Sequence, residues 1–149
     1  QFASRWALLQ LVSETDLLLM AAAVSDYRPK SFSPGKIKKG EEELALKLVR
    51  TEDILRSAGR SKGDRIHVGF SVETMDEIVA SRRKLEEKHL DMIVINNPLE
   101  PGAGFAVDTN IVTLLCRGRE PETWPLLSKT EVADRLLTAI LAYENEKMA

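Results

Sequence analysis

Eight consecutive apolar residues, LLLMAAAV at 17–24, present no polar side to solvent. A helix or strand resting on a protein surface carries a polar stripe, and a membrane span needs more than twice this length. Asp16 and Ser25-Asp26 bound the run, and Arg28-Pro29 forces the chain out of any continuing helix. The pattern predicts a strand buried on both faces. Such strands belong to parallel sheets covered by helices.

The remaining pattern agrees with that frame. Thr51 stands where a cap would start a short helix over 52–60, and 67–72 reads as a strand. Thr74 and Glu77 have capping-box spacing and predict a helix over 75–89, with Met75, Ile78, Val79 and Leu85 on its apolar side. Residues 92–95 form another apolar strand, followed by a glycine-bearing loop over 98–110. Strands over 111–116 and 124–127 predict an antiparallel edge hairpin. Ser128 and Glu131 form a second capping box before a helix striped by Val132, Leu136, Leu137, Ile140 and Leu141. Residues 1–14 read as a helix. The fold class is therefore α/β, a Rossmann-like layered fold with a mostly parallel sheet and an antiparallel edge hairpin.

Residues 30–50 break the alternation. Ser33-Pro34-Gly35 is turn chemistry, the segment KIKK occupies 36–39, and Leu44, Leu46 and Leu48 recur with period two. This predicts a protruding β-hairpin flap with a lysine-rich first strand and a half-buried second one. Lys36 and Lys38 would point to one side, roughly 6–7 Å apart along the strand. That spacing suits neighbouring phosphates, and equally suits lysines that protect an exposed edge.

At 149 residues the chain has room for one domain, spanning 1–149. With 21 basic and 23 acidic residues it has no basic field for nucleic acid or an anionic membrane, so neither is an expected partner. The single cysteine, Cys116, excludes an intrachain disulfide or a multi-cysteine metal site, and suits the cytoplasm. Cys116, His67 and His89 read as structural residues, and no G-x-S-x-G elbow is present. Gly102 and Gly104 lack the third glycine of a dinucleotide fingerprint, which counts against an NAD(P)-dependent oxidoreductase. Ligands of open α/β sheets bind beyond the carboxyl ends of the strands. Those ends carry Ser25-Asp26, Ser71 with Glu73, and Asn96-Asn97, which either build a site or make turns and caps.

AAAVSDYRP at 21–29, KIKK at 36–39, VGFSVET at 68–74, DMIVINN at 91–97 and GFAVDTN at 104–110 together resemble bacterial phosphopantothenoylcysteine synthetase. That family is the CTP-dependent ligase of coenzyme A biosynthesis, often fused behind an FMN-containing decarboxylase that would lie outside this chain. The resemblance implies ligation of 4'-phosphopantothenate to cysteine through an acyl-cytidylate, with CTP as substrate and Mg2+ or Mn2+ assisting. It places Ala22, Ala23, Asp26, Lys38 and Phe70 at the nucleotide, makes Lys36 the catalytic lysine of a flap reaching the partner's site, and gives Asp53 a metal or base contact. It also implies a homodimer. The family's usual Asn-Asp is Asn96-Asn97 here. The chain opens on Gln1, and nothing in residues 1–16 matches the family's amino-terminal portion. It therefore reads as the carboxyl-terminal part of such a ligase domain, active or reduced to a non-catalytic nucleotide-binding or dimerisation fragment.

Overall fold

The computed structural model describes residues 11–12, 14–22, 24–37, 44–72, 76–102 and 107–148. Its strands are β1 (Leu17–Met20), β2 (Tyr27–Pro29), β3 (Leu48–Arg50), β4 (Ile66–Val72), β5 (Met92–Asn96), β6 (Thr109–Asn110), β7 (Val112–Cys116), β8 (Glu122–Thr123) and β9 (Leu127–Ser128). The helices are α1 (Ile54–Arg60), α2 (Glu77–Glu87) and α3 (Lys129–Met148).

The main sheet runs in the order β1-β4-β5-β7-β8. Strands β1, β4 and β5 are parallel, while β7 and β8 join antiparallel. This is the expected Rossmann-like arrangement with an antiparallel edge. Strand β5 shows why its sequence has no polar side. Met92 and Val94 enter a core with Val68, Leu114, Trp124, Leu136 and Ile140, while Ile93 and Ile95 face Leu55, Leu85 and Leu90 on the other side.

Helix α3 starts at the expected capping box. The Ser128 amide donates to Glu131 Oε2 at 2.8 Å, and the Glu131 amide donates to Ser128 Oγ at 3.2 Å. Leu136 and Ile140 bury its inner stripe, about 1.5–3 kcal/mol each. Leu137 and Leu141 stay exposed.

Several expected boundaries shift. Strand β1 ends at Met20 and is only half-buried, because it lies at the edge of the sheet among the described residues. Asp53, not Thr51, caps α1, its side chain accepting from the Arg56 amide at 3.0 Å. Helix α2 begins at Glu77 after a left-handed Asp76 and ends at Glu87; Thr74 and Met75 lie outside the described residues. The edge strand is Glu122–Thr123 instead of 124–127. Trp124 follows it, its amide still donating to the Val112 carbonyl at 2.9 Å while its side chain fills the core, and Leu127–Ser128 pairs instead with Thr109–Asn110.

The flap hairpin is also differently paired. Its ladder joins Tyr27–Pro29 to Leu48–Arg50, and Lys36-Ile37 lies in no strand. Pro29 holds Arg28 extended, which favours the ribbon there, while Ser33-Pro34-Gly35 turns the chain away. Leu44, Leu46 and Leu48 are exposed where a half-buried strand was expected. Residues 38–43 lie outside the described residues.

Candidate nucleotide site

Beyond the carboxyl ends of β1 and β4 lies a cavity of about 390 Å3. Met20, Ala22, Val24, Leu55, Phe70 and Val72 give it an apolar wall. It runs into a second compartment of about 590 Å3, where Arg50, Arg56 and Arg83 appear. Asp26, Thr51, Asp53, Lys84 and Lys88 line both compartments, so the two form one groove. A larger hollow of about 680 Å3 sits at the amino ends of β1 and β4, among Asp16, Asp64, Arg65, Glu144 and Lys147. Among the described residues it has no aromatic wall and no strand carboxyl end, which leaves the groove as the candidate site.

Local structure explains how each side chain arrives. The Thr51 amide donates to the Asp26 carbonyl at 2.8 Å, extending the β2–β3 ribbon and holding these two residues together at the groove. Phe70 occupies the last turns of β4 and is 41% exposed, leaving ring surface for a ligand. Lys84 and Lys88 are one helical turn apart on α2, so they share a side. Lys84 Nζ donates to Ser71 Oγ at 3.0 Å, tying α2 to the end of β4. Lys88 Nζ lies 2.9 Å from Asp53 Oδ2. The Thr51 hydroxyl is buried and has no hydrogen-bond partner among the described residues.

The Asp53 carboxyl is held below its ordinary range. Burial pushes it up, but the Arg56 amide, the Lys88 ammonium and the Arg56 charge together outweigh that push. Its oxygens are thus committed to the α1 cap and to Lys88. Mg2+ binds through one or two carboxylates, its own waters and substrate phosphates, without needing an all-protein cage. The groove fits that mode. Asp26 is the carboxylate suited to face a phosphate-bound cation, while Asp53 is already paired, and no group of three metal-ligating side chains is assembled among the described residues.

Of the residues expected from the sequence, Ala22, Asp26, Asp53 and Phe70 converge on the groove. Lys36 is exposed on the arm and does not line the groove of its own chain. Ala23 and Lys38 lie outside the described residues. Sequence reading missed Thr51 as a groove residue, and it missed Lys84 and Lys88. The available signal was a pair of lysines at i, i+4 on the helix directly after the Phe70 strand.

Among the described residues no helix is long and apolar enough to cross a membrane. Residues 5–143 match the family model of the DNA/pantothenate metabolism flavoprotein C-terminal domain. The chain is 39% identical over 142 residues to the coenzyme A biosynthesis bifunctional protein CoaBC of Bacillus subtilis, covering 95% of this chain and 35% of that relative. It is 40% identical over 136 residues to a cysteine/cysteine sulfinic acid decarboxylase of an unknown prokaryotic organism, covering 91% of this chain and 38% of that one. The crystal structure of the C-terminal domain of a CoaBC protein superimposes with a TM-score of 0.76 at 32% identity, covering 95% of this chain and 61% of that chain. The chain thus spans about a third of the length of the curated relatives it matches. A match over nearly its whole length places it: the chain belongs to the DNA/pantothenate metabolism flavoprotein C-terminal domain family.

Proposed function

We propose that this chain is the nucleotide-holding, carboxyl-terminal part of a CTP-dependent ligase that joins 4'-phosphopantothenate to cysteine. The observation that carries the reading is the two-part groove, an apolar wall with Phe70 continuing into a compartment of arginines and lysines. A base and ribose suit the first part, and a polyphosphate suits the second. The family membership and the CoaBC relatives support coenzyme A biosynthesis as the setting.

The reaction has two displacements. The phosphopantothenate carboxylate attacks the α-phosphorus of CTP, and pyrophosphate leaves with the electron pair of the broken P–O bond. The cysteine amine then attacks the acyl carbon of the cytidylate, CMP leaves, and the amine's proton is lost as the amide forms. Phe70 and Ala22 bound the base and ribose, with Ala23 beside them in sequence. Lys84 and Lys88 meet phosphate oxygens as mobile point charges. Asp26 would hold a Mg2+ bound to the triphosphate, which would lower the charge on the phosphates.

Lys36 acts on the partner's groove in this reading. Its arm exposes Phe32 at 90% and Ile37, Leu44, Leu46 and Leu48 at more than half, an apolar surface that calls for a cover. A second copy supplies that cover and brings Lys36 to the neighbouring nucleotide, so the working unit is a homodimer.

The test is pyrophosphate release by this chain with CTP, phosphopantothenate and Mg2+, followed by addition of cysteine. Release that needs both substrates, with CMP and the amide appearing after cysteine, supports the ligase. Tight CTP binding without release reduces the chain to a nucleotide-binding fragment. No preference for CTP over ATP and NADH removes the reading.

A further inference from the structure

Glu87, at the end of α2, reaches across the cationic compartment. Its Oε2 lies 2.5 Å from Nη2 of Arg56 on α1, and its Oε1 lies 3.7 Å from Nε of Arg83, one turn earlier on α2. One carboxylate thus bridges two guanidiniums from two helices, each oxygen serving one. Two anionic oxygens shared between guanidiniums are also what a terminal phosphate presents. All three side chains line the compartment that continues from Lys84 and Lys88. The side chains of Arg56 and Glu87 are 45% and 46% exposed, and that of Arg83 73%. Exposed ion pairs of this kind are weak and easily exchanged.

We propose that Glu87 is an internal stand-in for the outer phosphates of the nucleotide. Arg56 and Arg83 exchange the Glu87 carboxylate for the β- and γ-phosphates. This deepens the nucleotide reading above and rests on it for the identity of the ligand, but not for the anion site itself. The exchange has a consequence for specificity. A nucleoside monophosphate whose base lies against Phe70 does not reach the arginines and leaves Glu87 in place. A triphosphate reaches them and gains contacts that the monophosphate lacks. Glu87 also sets a threshold, since a ligand must outbid its carboxylate.

Calorimetric titration of the chain at low ionic strength tests this, with inorganic tripolyphosphate, CMP and CTP as probes. Glu87→Gln is expected to tighten tripolyphosphate and CTP by about 3-fold and leave CMP unchanged. Arg83→Gln and Arg56→Gln are expected to weaken both polyanions by about 5-fold, again without affecting CMP. Glu86→Gln makes the same charge change one residue away, where the side chain pairs with Arg117 at 2.6 Å, and is expected to change nothing. Equal tightening by Glu86→Gln and Glu87→Gln overturns the proposal, because the effect is then only net charge. Failure of tripolyphosphate to bind, or indifference of both polyanions to Glu87→Gln, overturns it too. CTP binding no better than ATP, with tripolyphosphate still responding to Glu87→Gln, keeps the exchange site and removes the CTP reading instead.

Discussion

Gly59 and Lys88 are packed backbone to backbone: a Cβ placed on Gly59 would lie 2.1 Å from the Lys88 carbonyl oxygen. Glycine inside a helix ordinarily costs about 1 kcal/mol relative to alanine. Here the missing side chain lets α1 lie against the end of α2. That approach brings Asp53, the cap of α1, within 2.9 Å of the Lys88 ammonium at the edge of the groove. Gly59→Ala should therefore destabilise the fold by about 2–3 kcal/mol, against the direction of helix propensity. Urea unfolding checks this, and a raised midpoint would count against the close approach. Weakened CTP binding in the folded fraction is the expected companion effect.

Asp91, just before β5, ties that strand to β4, to the loop preceding β4 and to α3 through its two carboxylate oxygens. Oδ1 lies 2.7 Å from Lys62 Nζ and within 3.4 Å of the Tyr143 hydroxyl, and Oδ2 accepts from the His67 amide at 2.8 Å. The carboxylate is 3% exposed and the Lys62 side chain 15%. Removing one partner strands the other's charge. Asp91→Ala should cost about 3–5 kcal/mol. Lys62→Met with Asp91→Leu should cost clearly less than Asp91→Ala alone, because no buried charge is then left. Equal losses in both variants would contradict this account.

His67 gives a pH dependence with a definite sign. The residue is fully buried, and neither ring nitrogen has a hydrogen-bond partner among the described residues. Burial depresses its pKa, the Lys62 and Arg65 charges depress it further, and Asp91 offsets only part of this. The unfolded chain therefore binds this proton more readily than the folded one. The stability contributed is complete above the unfolded value of about 6.5 and is lost as pH falls through the lower folded value. His67→Leu should raise stability at neutral pH by about 1 kcal/mol and flatten the decline on acidification below pH 6.5. The comparison is of urea midpoints from pH 7.5 down to pH 5. An unchanged slope would place the acid sensitivity elsewhere.

The sheet was legible from sequence because β5 and β7 are buried along nearly their whole length and carry no polar alternation. The capping box of α3 was legible because Ser128 and Glu131 bond to each other locally. The flap was not. Leu44, Leu46 and Leu48 alternate as a half-buried strand would, yet they are exposed in the single chain. A period-two pattern records what a strand packs against without saying which molecule supplies it. Asp26 was readable as a candidate because strand ends are where α/β sheets bind ligands, whereas Phe70 came only from the family resemblance. Lys84, Lys88 and Arg56 were not, since lysines and arginines on a helix exterior look the same whether they face solvent or a groove. The packing of α1 on α2 through Gly59 makes the difference, and that is a tertiary fact.

Phe70 should matter to base binding beyond its part in the fold. The residue is 41% exposed at the groove, so truncation also removes the buried remainder of its surface, and binding is read in the folded fraction. Base stacking on an aromatic ring contributes about 1–3 kcal/mol. Phe70→Ala should weaken CTP and CMP by similar factors, with tripolyphosphate untouched. Loss of tripolyphosphate binding as well would mean that Phe70 supports the groove instead of the base.

The proposed exchange of flaps makes a prediction that no single variant can. Lys36 is absent from the lining of its own chain's groove, whereas Asp26 lines it. If each groove is completed by the partner's arm, Lys36→Gln and Asp26→Ala should each abolish ligase turnover in separate homodimers. Mixed and re-equilibrated one to one, they form hybrids in half of the dimers. Within a hybrid, the intact groove of the Lys36→Gln chain meets the intact arm of the Asp26→Ala chain at one of two sites. Turnover should return to about a quarter of the unmodified level, as two-fold symmetry requires. Lys36→Gln alone should keep a nearly normal unfolding midpoint, since the side chain lies on an exposed arm. No recovery on mixing, with hybrid dimers demonstrated by mass, would show that Lys36 does not act across the interface.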